Sequence, residues 1–403
     1  MKKAYLFIIA LALMVAGCSK STEEYPTKPF SFDTHQKSLL KSNNVFGASL
    51  FSRLNKDFEG KNVFISPISV SVALGMTLNG ARDATYTDMS HTLGYADTMQ
   101  DDINKSFQSI ISQLTSEDPK ARLQIANSIW YRQGLSVEAK FIESNKTYFL
   151  SEVIEADFTN PATLKTINDW VAGKTNNKIL NIIDQIPADA VMYLINAIYF
   201  KGDWKYEFKK ENTQDAPFMV NGATSKTVPI MSQTGSFRYY SDSTLAAIEM
   251  PYAGERYSLV ALLPNENVNI EQVANGFTDA YYTRILENMY AGEVQLYFPR
   301  VKMEFKTLLN DALSDMGMQV AFSDYANFKG IRPEGGLSIS RVIHQSFVEI
   351  NEEGTEAAAA TVVEIKETSM PEIHVFRADR PFLFVIKDNT ANSIVFIGKV
   401  VNP

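Results

Sequence analysis

The sequence predicts a large α+β body, and three observations carry that reading. Apolar residues recur at spacings of three and four in the first half of the chain, the mark of helices with one buried face. Short runs rich in β-branched and aromatic residues, broken by Gly, Pro and Asn, follow through the second half. No internal repeat and no linker divides the chain after residue 35. The 403 residues are 45% hydrophobic and 21% charged, which is too apolar for a disordered chain and ample for a large core. Length alone would suggest about two to three domains; the undivided body argues for one.

The elements follow in order. Phe46, Leu50, Phe51, Leu54 and Phe58 form one helical face. Ser66-Pro67 opens the next helical run, 70–78, with a capping serine and a proline suited to the first turn. Segment 164–183 contains a third helix. Strand signals interleave at 123–131 and in the apolar run 193–200. Later strands are read at 246–250, 257–263, 293–301, 343–350, 381–386 and 393–400.

At the start of the chain, Lys2 and Lys3 precede an apolar run of about a dozen residues, shorter than the roughly twenty a spanning helix needs. A basic start, a short apolar core and small residues read as a secretory signal. Val15-Ala16-Gly17-Cys18 resembles the lipobox of bacterial lipoproteins. That resemblance implies cleavage before Cys18, lipidation of Cys18 and contact with a membrane through that anchor. Ser19, where an Asp would retain a lipoprotein at the inner membrane, implies the outer membrane or cell surface of a Gram-negative bacterium. The chain thus divides into a signal, 1–17, a polar tether with Pro26 and Pro29, 18–35, and a body, 36–403.

Several functions are excluded or disfavoured. One cysteine forms no internal disulfide and no Cys-based zinc site. His35, His91, His344 and His374 make no HExxH, so no metal is expected. A net charge of −8 argues against nucleic acid as a partner. No basic cluster stands out for a heparin-like cofactor, and no other cofactor is implied. There is no GxSxG, and the SxxK match at Ser38-Leu39-Leu40-Lys41 is of the kind chance supplies. No catalytic residue is assigned.

One segment conflicts with its surroundings. Glu356, Ala357, Ala358, Ala359 and Ala360 favour helix by propensity, yet they follow the strand-like run 347–350 and precede β-branched Thr361, Val362 and Val363. Read with period two, Thr355, Ala357, Ala359, Thr361, Val363 and Ile365 share an uncharged face. The other face holds every charge from Glu356 to Lys366. This pattern fits a strand entering a sheet over a core as well as an exposed loop, and such conflicts mark switches.

The chain resembles the serpins from about residue 36 to its end. Asn62-Val63-Phe64-Ile65-Ser66-Pro67-Ile68-Ser69 is similar to the family's first signature, and Asn196-Ala197-Ile198-Tyr199-Phe200-Lys201-Gly202-Asp203-Trp204 to a second. Phe376-Arg377-Ala378-Asp379-Arg380-Pro381-Phe382-Leu383-Phe384 is similar to the C-terminal signature. The family hinge matches Glu353, Gly354, Thr355, Glu356, Ala357, Ala358, Ala359, Ala360 and Thr361. The resemblance implies the serpin fold: three β-sheets, about nine helices and an exposed reactive-centre loop. It also implies suicide inhibition, in which a target protease cleaves the loop and the cut loop enters the central sheet as a new strand. Serine proteases, and cysteine proteases as a wider class, are the implied partners of a monomer.

Counting from Gly354 as the family does places the reactive bond at Thr368-Ser369, which suits elastase-like proteases. Lys366 is an alternative P1 that suits trypsin-like enzymes. Met370 is another, although Pro371 after it is poorly accepted. Ser66, Ser69, Asn196 and His344 match the family's sheet-opening shutter, where His344 is expected to hold hydrogen bonds. Trp204 matches the breach, where the loop first enters; ordinary core packing stays open for it. The hinge carries none of the bulky, charged or proline residues typical of non-inhibitors at its inserting positions, and Glu367 beside the proposed P1 is less usual. A non-inhibitory binding or chaperone-like surface lipoprotein remains the alternative.

Overall fold

In a computed structural model of the chain, the residues described are 31–116, 120–220, 224–355 and 373–403. They hold nine α-helices, six of which end before residue 175. The first, Thr34–Asp57, begins where Asp33 and Gln36 each accept the other's backbone N–H, at 2.9 and 3.0 Å. This reciprocal cap satisfies two donors that a helix start leaves free. Its buried face includes Phe46, Leu50, Phe51 and Leu54, as the spacing requires. Helix Pro67–Leu78 starts at the Ser66 cap, whose side chain accepts from Ser69 N, and is buried at every residue but Ala73. Its apolar surround explains why it lacks a polar stripe.

The helix read within 164–183 is Ala162–Lys174. It stops early because Asn176 and Asn177 adopt positive φ of 51° and 59°, which ends a right-handed helix. Ile179, Ile182 and Ile183 beyond it still join its apolar cluster with Ile167, Val171, Trp130, Ile195 and Ala197. The run read as one strand at 293–301 is two, Tyr290–Pro299 and Val301–Leu308. The break falls at Arg300, whose N–H turns to Pro229 O at 3.0 Å, while the preceding residue is a proline.

Strand pairing forms two hydrogen-bonded networks. The larger has nine strands and is two sheets joined along one strand, Thr224–Ser241. Residues 238–241 of that strand pair with Leu245–Pro251, while 230–239 pair with Tyr290–Pro299. Tyr257–Pro264, Phe382–Asp388 and Ser393–Val400 are buried along their whole length, which explains their largely apolar sequences; the charged exceptions, Lys387, Asp388 and Lys399, are ion-paired.

The third sheet has six strands, in the order Val301–Leu308, Ile343–Ile350, Gly354–Thr355, Met192–Asp203, Ala121–Arg132, Glu152–Ala156. One of its faces packs on the larger network, with Phe200 edge-on to Tyr252 and Tyr257 at 5.0 and 5.2 Å. Its other face carries Ile195, Ala197 and Trp130 into the cluster under helix Ala162–Lys174. The two-residue strand Gly354–Thr355 therefore stands between two long ones.

Candidate functional site

The two long strands Met192–Asp203 and Ile343–Ile350 are the walls of a slot, and helix Pro67–Leu78 is its floor. Both walls run antiparallel to Gly354–Thr355, so they are parallel to each other, with that short strand between them at one end, the upper end. Thr355 is opposite Ile350 on one side and Gly202 on the other, and Gly354 is opposite Asp203. Gly354 has φ +150°, and a Cβ there would lie 2.1 Å from Gly202 O, so only glycine fits. Thr355 is 2% exposed, and its hydroxyl is 2.7 Å from that of Tyr252.

Side chains fix this end of the slot. The Trp204 indole lies flat on Tyr252, with ring centroids 4.5 Å apart, and donates from Nε1 to Asn351 O at 2.9 Å. The backbone N–H groups of Trp204 and Phe208 donate to Glu353 O and Glu352 O, each at 2.9 Å. The Glu352 side chain is almost wholly buried and accepts from Arg300 Nη2 and Thr213 Oγ1, both at 2.6 Å. Burial pushes the Glu352 carboxyl up, but the bonds from Arg300 and Thr213 outweigh it and hold it below the usual carboxylate range. Glu353 pairs with Lys210 at 2.6 Å. Nearby, burial raises Asp203, with Glu353 adding to the effect, and burial together with Asp203 and Glu353 raises Glu207.

The lower end is built differently. Beneath it lies a cavity of ≈ 220 Å³ lined in part by Ser69, Leu74, Leu194, Asn196, Val342 and His344. A chain of hydrogen bonds crosses it from wall to wall through the floor helix. Ser66 N donates to His344 Nε2 at 3.2 Å, and Ser69 N donates to Ser66 Oγ at 3.4 Å. The Ser69 hydroxyl donates to Asn196 Oδ1, and Asn196 Nδ2 donates to Asn127 Oδ1 at 2.5 Å. Ser66 Oγ also ties the helix start to Val395 O at 2.8 Å. His344 is 4% exposed, and burial pushes its imidazole down to about 4. A neutral ring with Nε2 as acceptor is what the Ser66 N–H needs.

The structure thus brings Ser66, Ser69, Asn196 and His344 into one network, and Trp204, Glu353, Gly354 and Thr355 into another at the opposite end. Glu356, Ala357, Ala358, Ala359, Ala360, Thr361, Lys366, Thr368, Ser369 and Met370 lie outside the described residues, as does Cys18. Sequence reasoning missed Asn127, Tyr252, Thr213 and Arg300. Asn127 had a signal, the one asparagine within the strand-like run 123–131, and the register sets it directly opposite Asn196. Lys41 of the SxxK match pairs with Asp279 across to another helix.

A family profile described as Serpin (serine protease inhibitor) matches residues 41–403. Human serpin B4 is 36% identical over 389 residues, covering 91% of this chain and all of that protein. The horse leukocyte elastase inhibitor is 35% identical over 378 residues, covering 91% of this chain and 99% of its own. Among solved structures, the thermophilic serpin tengpin in its native state superposes with a TM-score of 0.84 at 31% identity, covering 94% of this chain and 96% of its own. Human thyroxine-binding globulin complexed with thyroxine gives 0.84 at 31%, covering 92% and 99%.

Proposed function

Since this chain belongs to the serpin family, we propose that it is a suicide inhibitor of serine proteases that traps its target by inserting the cleaved loop into the slot. One observation carries this reading: the slot already holds Gly354 and Thr355 in register with both walls. Continuing that register sets Ala357 between Val348 and Phe200, and Ala359 between Ser346 and Ile198. Thr361 then falls between His344 and Asn196, and Val363 between Val342 and Leu194, over the cavity. Ile365 reaches Met192, where the wall strand begins. The uncharged face of the segment is the one that follows Thr355 inward, and its smallest side chains pass the buried upper walls first.

The driving force follows from the same register. About a dozen residues would gain backbone bonds on both edges, at about 0.5–1.5 kcal/mol net per bond. Val363 and Ile365 would add roughly 1.5–3 kcal/mol each if fully buried. A sum of order 10 kcal/mol is available only after the loop is cut, because an intact loop is anchored at both ends, at Thr355 and at the strand His374–Arg377. Cleavage therefore releases insertion, and insertion carries the acyl-bound protease with it.

Within this reading Thr368-Ser369 is the reactive bond, with Lys366 and Met370 as alternative P1 residues. Ser66, Ser69, Asn196 and His344 act as the shutter, Trp204 and Tyr252 as the platform of the breach, and no residue acts as a catalyst. Cys18 bears the lipid that holds a monomer to the outer membrane; loss of labelled-palmitate incorporation in Cys18→Ser would support that anchor, and full incorporation would remove it. The inhibitor reading is tested by incubation with pancreatic elastase and trypsin. An SDS-stable complex at near-equal stoichiometry is expected. Cleaved loop fragments without a complex would favour the non-inhibitory binding protein instead.

A further inference from the structure

Beyond the proposed bond, the chain re-enters the described residues at Ile373 and forms the strand His374–Arg377. This strand is last in its sheet and pairs, in parallel, with Tyr290–Pro299. Its side chains alternate. Phe376 is fully buried, and His374 stacks flat on Tyr239 at 4.7 Å and meets the Tyr290 hydroxyl at 3.3 Å. Ile373 and Val375 point the other way and are 52% and 54% exposed. Arg377 continues that outward face, with its guanidinium 3.6 Å above the Tyr297 ring beside it in register. The outward face thus reads apolar, apolar, stacked cation, on a strand held firmly from behind.

Exposed apolar side chains on an outermost strand are a liability unless something covers them. Chain length identifies what covers these. From Ser369 to Ile373 a fully extended chain reaches only about 14 Å. A 200–250-residue enzyme has a radius of gyration of about 17 Å, so one that holds the Thr368-Ser369 bond in its cleft extends over this strand. We propose that Ile373, Val375 and Arg377 form a docking surface for the prime-side rim of the target protease and help select it. The surface fits a rim with an apolar side chain facing Ile373 and Val375 and a carboxylate or carbonyl facing Arg377. This rests on the trapping reading above.

The test compares wild type with an Ile373→Asp, Val375→Asp double variant against pancreatic elastase, trypsin, chymotrypsin and subtilisin. The measured quantities are the second-order rate constant for SDS-stable complex formation, its stoichiometry and the melting temperature. We expect the rate constant to fall about tenfold or more for the best-trapped enzyme, unequally across the panel, with stoichiometry and melting temperature unchanged. Should the double variant fold poorly, Val375→Thr with Arg377→Gln serves as the milder pair, and a smaller loss in the same enzyme order is expected. Equal rates for wild type and variants would overturn the inference and leave the trapping reading standing. A wild type that traps none of the four would remove both. Dimers of wild type in sedimentation velocity that the double variant lacks would assign the surface to a second copy and overturn the proposal.

Discussion

The two ends of the slot share the same walls and are closed by opposite means. At the upper end the closure is backbone: Gly354 and Thr355 pair with both walls, and Glu352 and Trp204 hold the approach from either side. At the lower end the closure is side chain: His344, Ser66, Ser69 and Asn196 span the gap above a cavity of ≈ 220 Å³. A backbone ladder fixes where a strand begins and in which register. Side-chain bonds fix spacing, yet an arriving strand can exchange for them. Under the proposed insertion, the upper end would set direction and the lower end how readily the sheet parts.

The largest effect should come from breaking the upper end. Thr355→Arg forces a charge into a site that is 2% exposed, against Tyr252 and between two paired walls. The hinge cannot stay seated, so the variant should be cleaved without forming a complex, with trapping reduced by well over about tenfold. A densitometric stoichiometry assay checks this. Unchanged trapping would show that the register at Thr355 does not guide insertion.

Next is the clamp. Glu352→Lys leaves Arg300 facing a second cation in a buried pocket, and half-exposed Arg300 moderates the cost to about 3 kcal/mol. The intact protein should melt lower and self-associate on mild heating, while Glu352→Gln, which keeps an acceptor, should lose much less. Circular dichroism melts with light scattering distinguish these outcomes.

The lower end is probed by pH. His344 has a folded value of about 4, below its ordinary 6.5, because burial disfavours the cation. The unfolded chain therefore binds the extra proton first as pH falls. This contribution to stability is complete above about pH 6.5, declines between about 6.5 and 4, and levels off below that, with a total of order 3 kcal/mol. Glu352, held low, adds loss in the acid range, whereas Asp203 and Glu207, held high, work in the opposite sense. Denaturant melts of wild type and His344→Asn from pH 7.5 to 4 should diverge most near neutrality and converge in acid. Parallel curves would show that His344 is not the group responsible.

The smallest effect is expected at Asn196→Ala. It leaves Ser69 and Asn127 without a partner at one point of the network, costing about 1–3 kcal/mol in the intact form. Loop insertion should be faster, not slower, because one lower bond is gone. A slower rate in stopped-flow fluorescence would contradict the assignment of the lower end as the resisting one.

How much of this was legible in the sequence differs between the same two ends. The helices Thr34–Asp57 and Pro67–Leu78 declare themselves through spacing and caps, and the strand Met192–Asp203 through its apolar run. The period-two face starting at Thr355 is likewise local, and the buried Thr355 agrees with it. The clamp was not legible, because Glu352 meets Arg300 across 52 residues and Thr213 across 139, and neither partner sits in a patterned run that singles it out. The network of Ser66, Ser69, Asn196 and His344 emerged only through family resemblance, since two serines, an asparagine and a histidine from separate parts of the chain show no shared period. The strand Thr224–Ser241 was missed because it changes partners midway, so no single alternation describes its 18 residues.

The most direct test of the account is the melting temperature of the protein before and after a single cut in the loop, made with a protease that cleaves without being trapped. If the cut loop enters between Met192–Asp203 and Ile343–Ile350, the gain of order 10 kcal/mol should raise the melting temperature by about 10 °C or more. An unchanged or lower melting temperature after complete cleavage would contradict insertion into the slot.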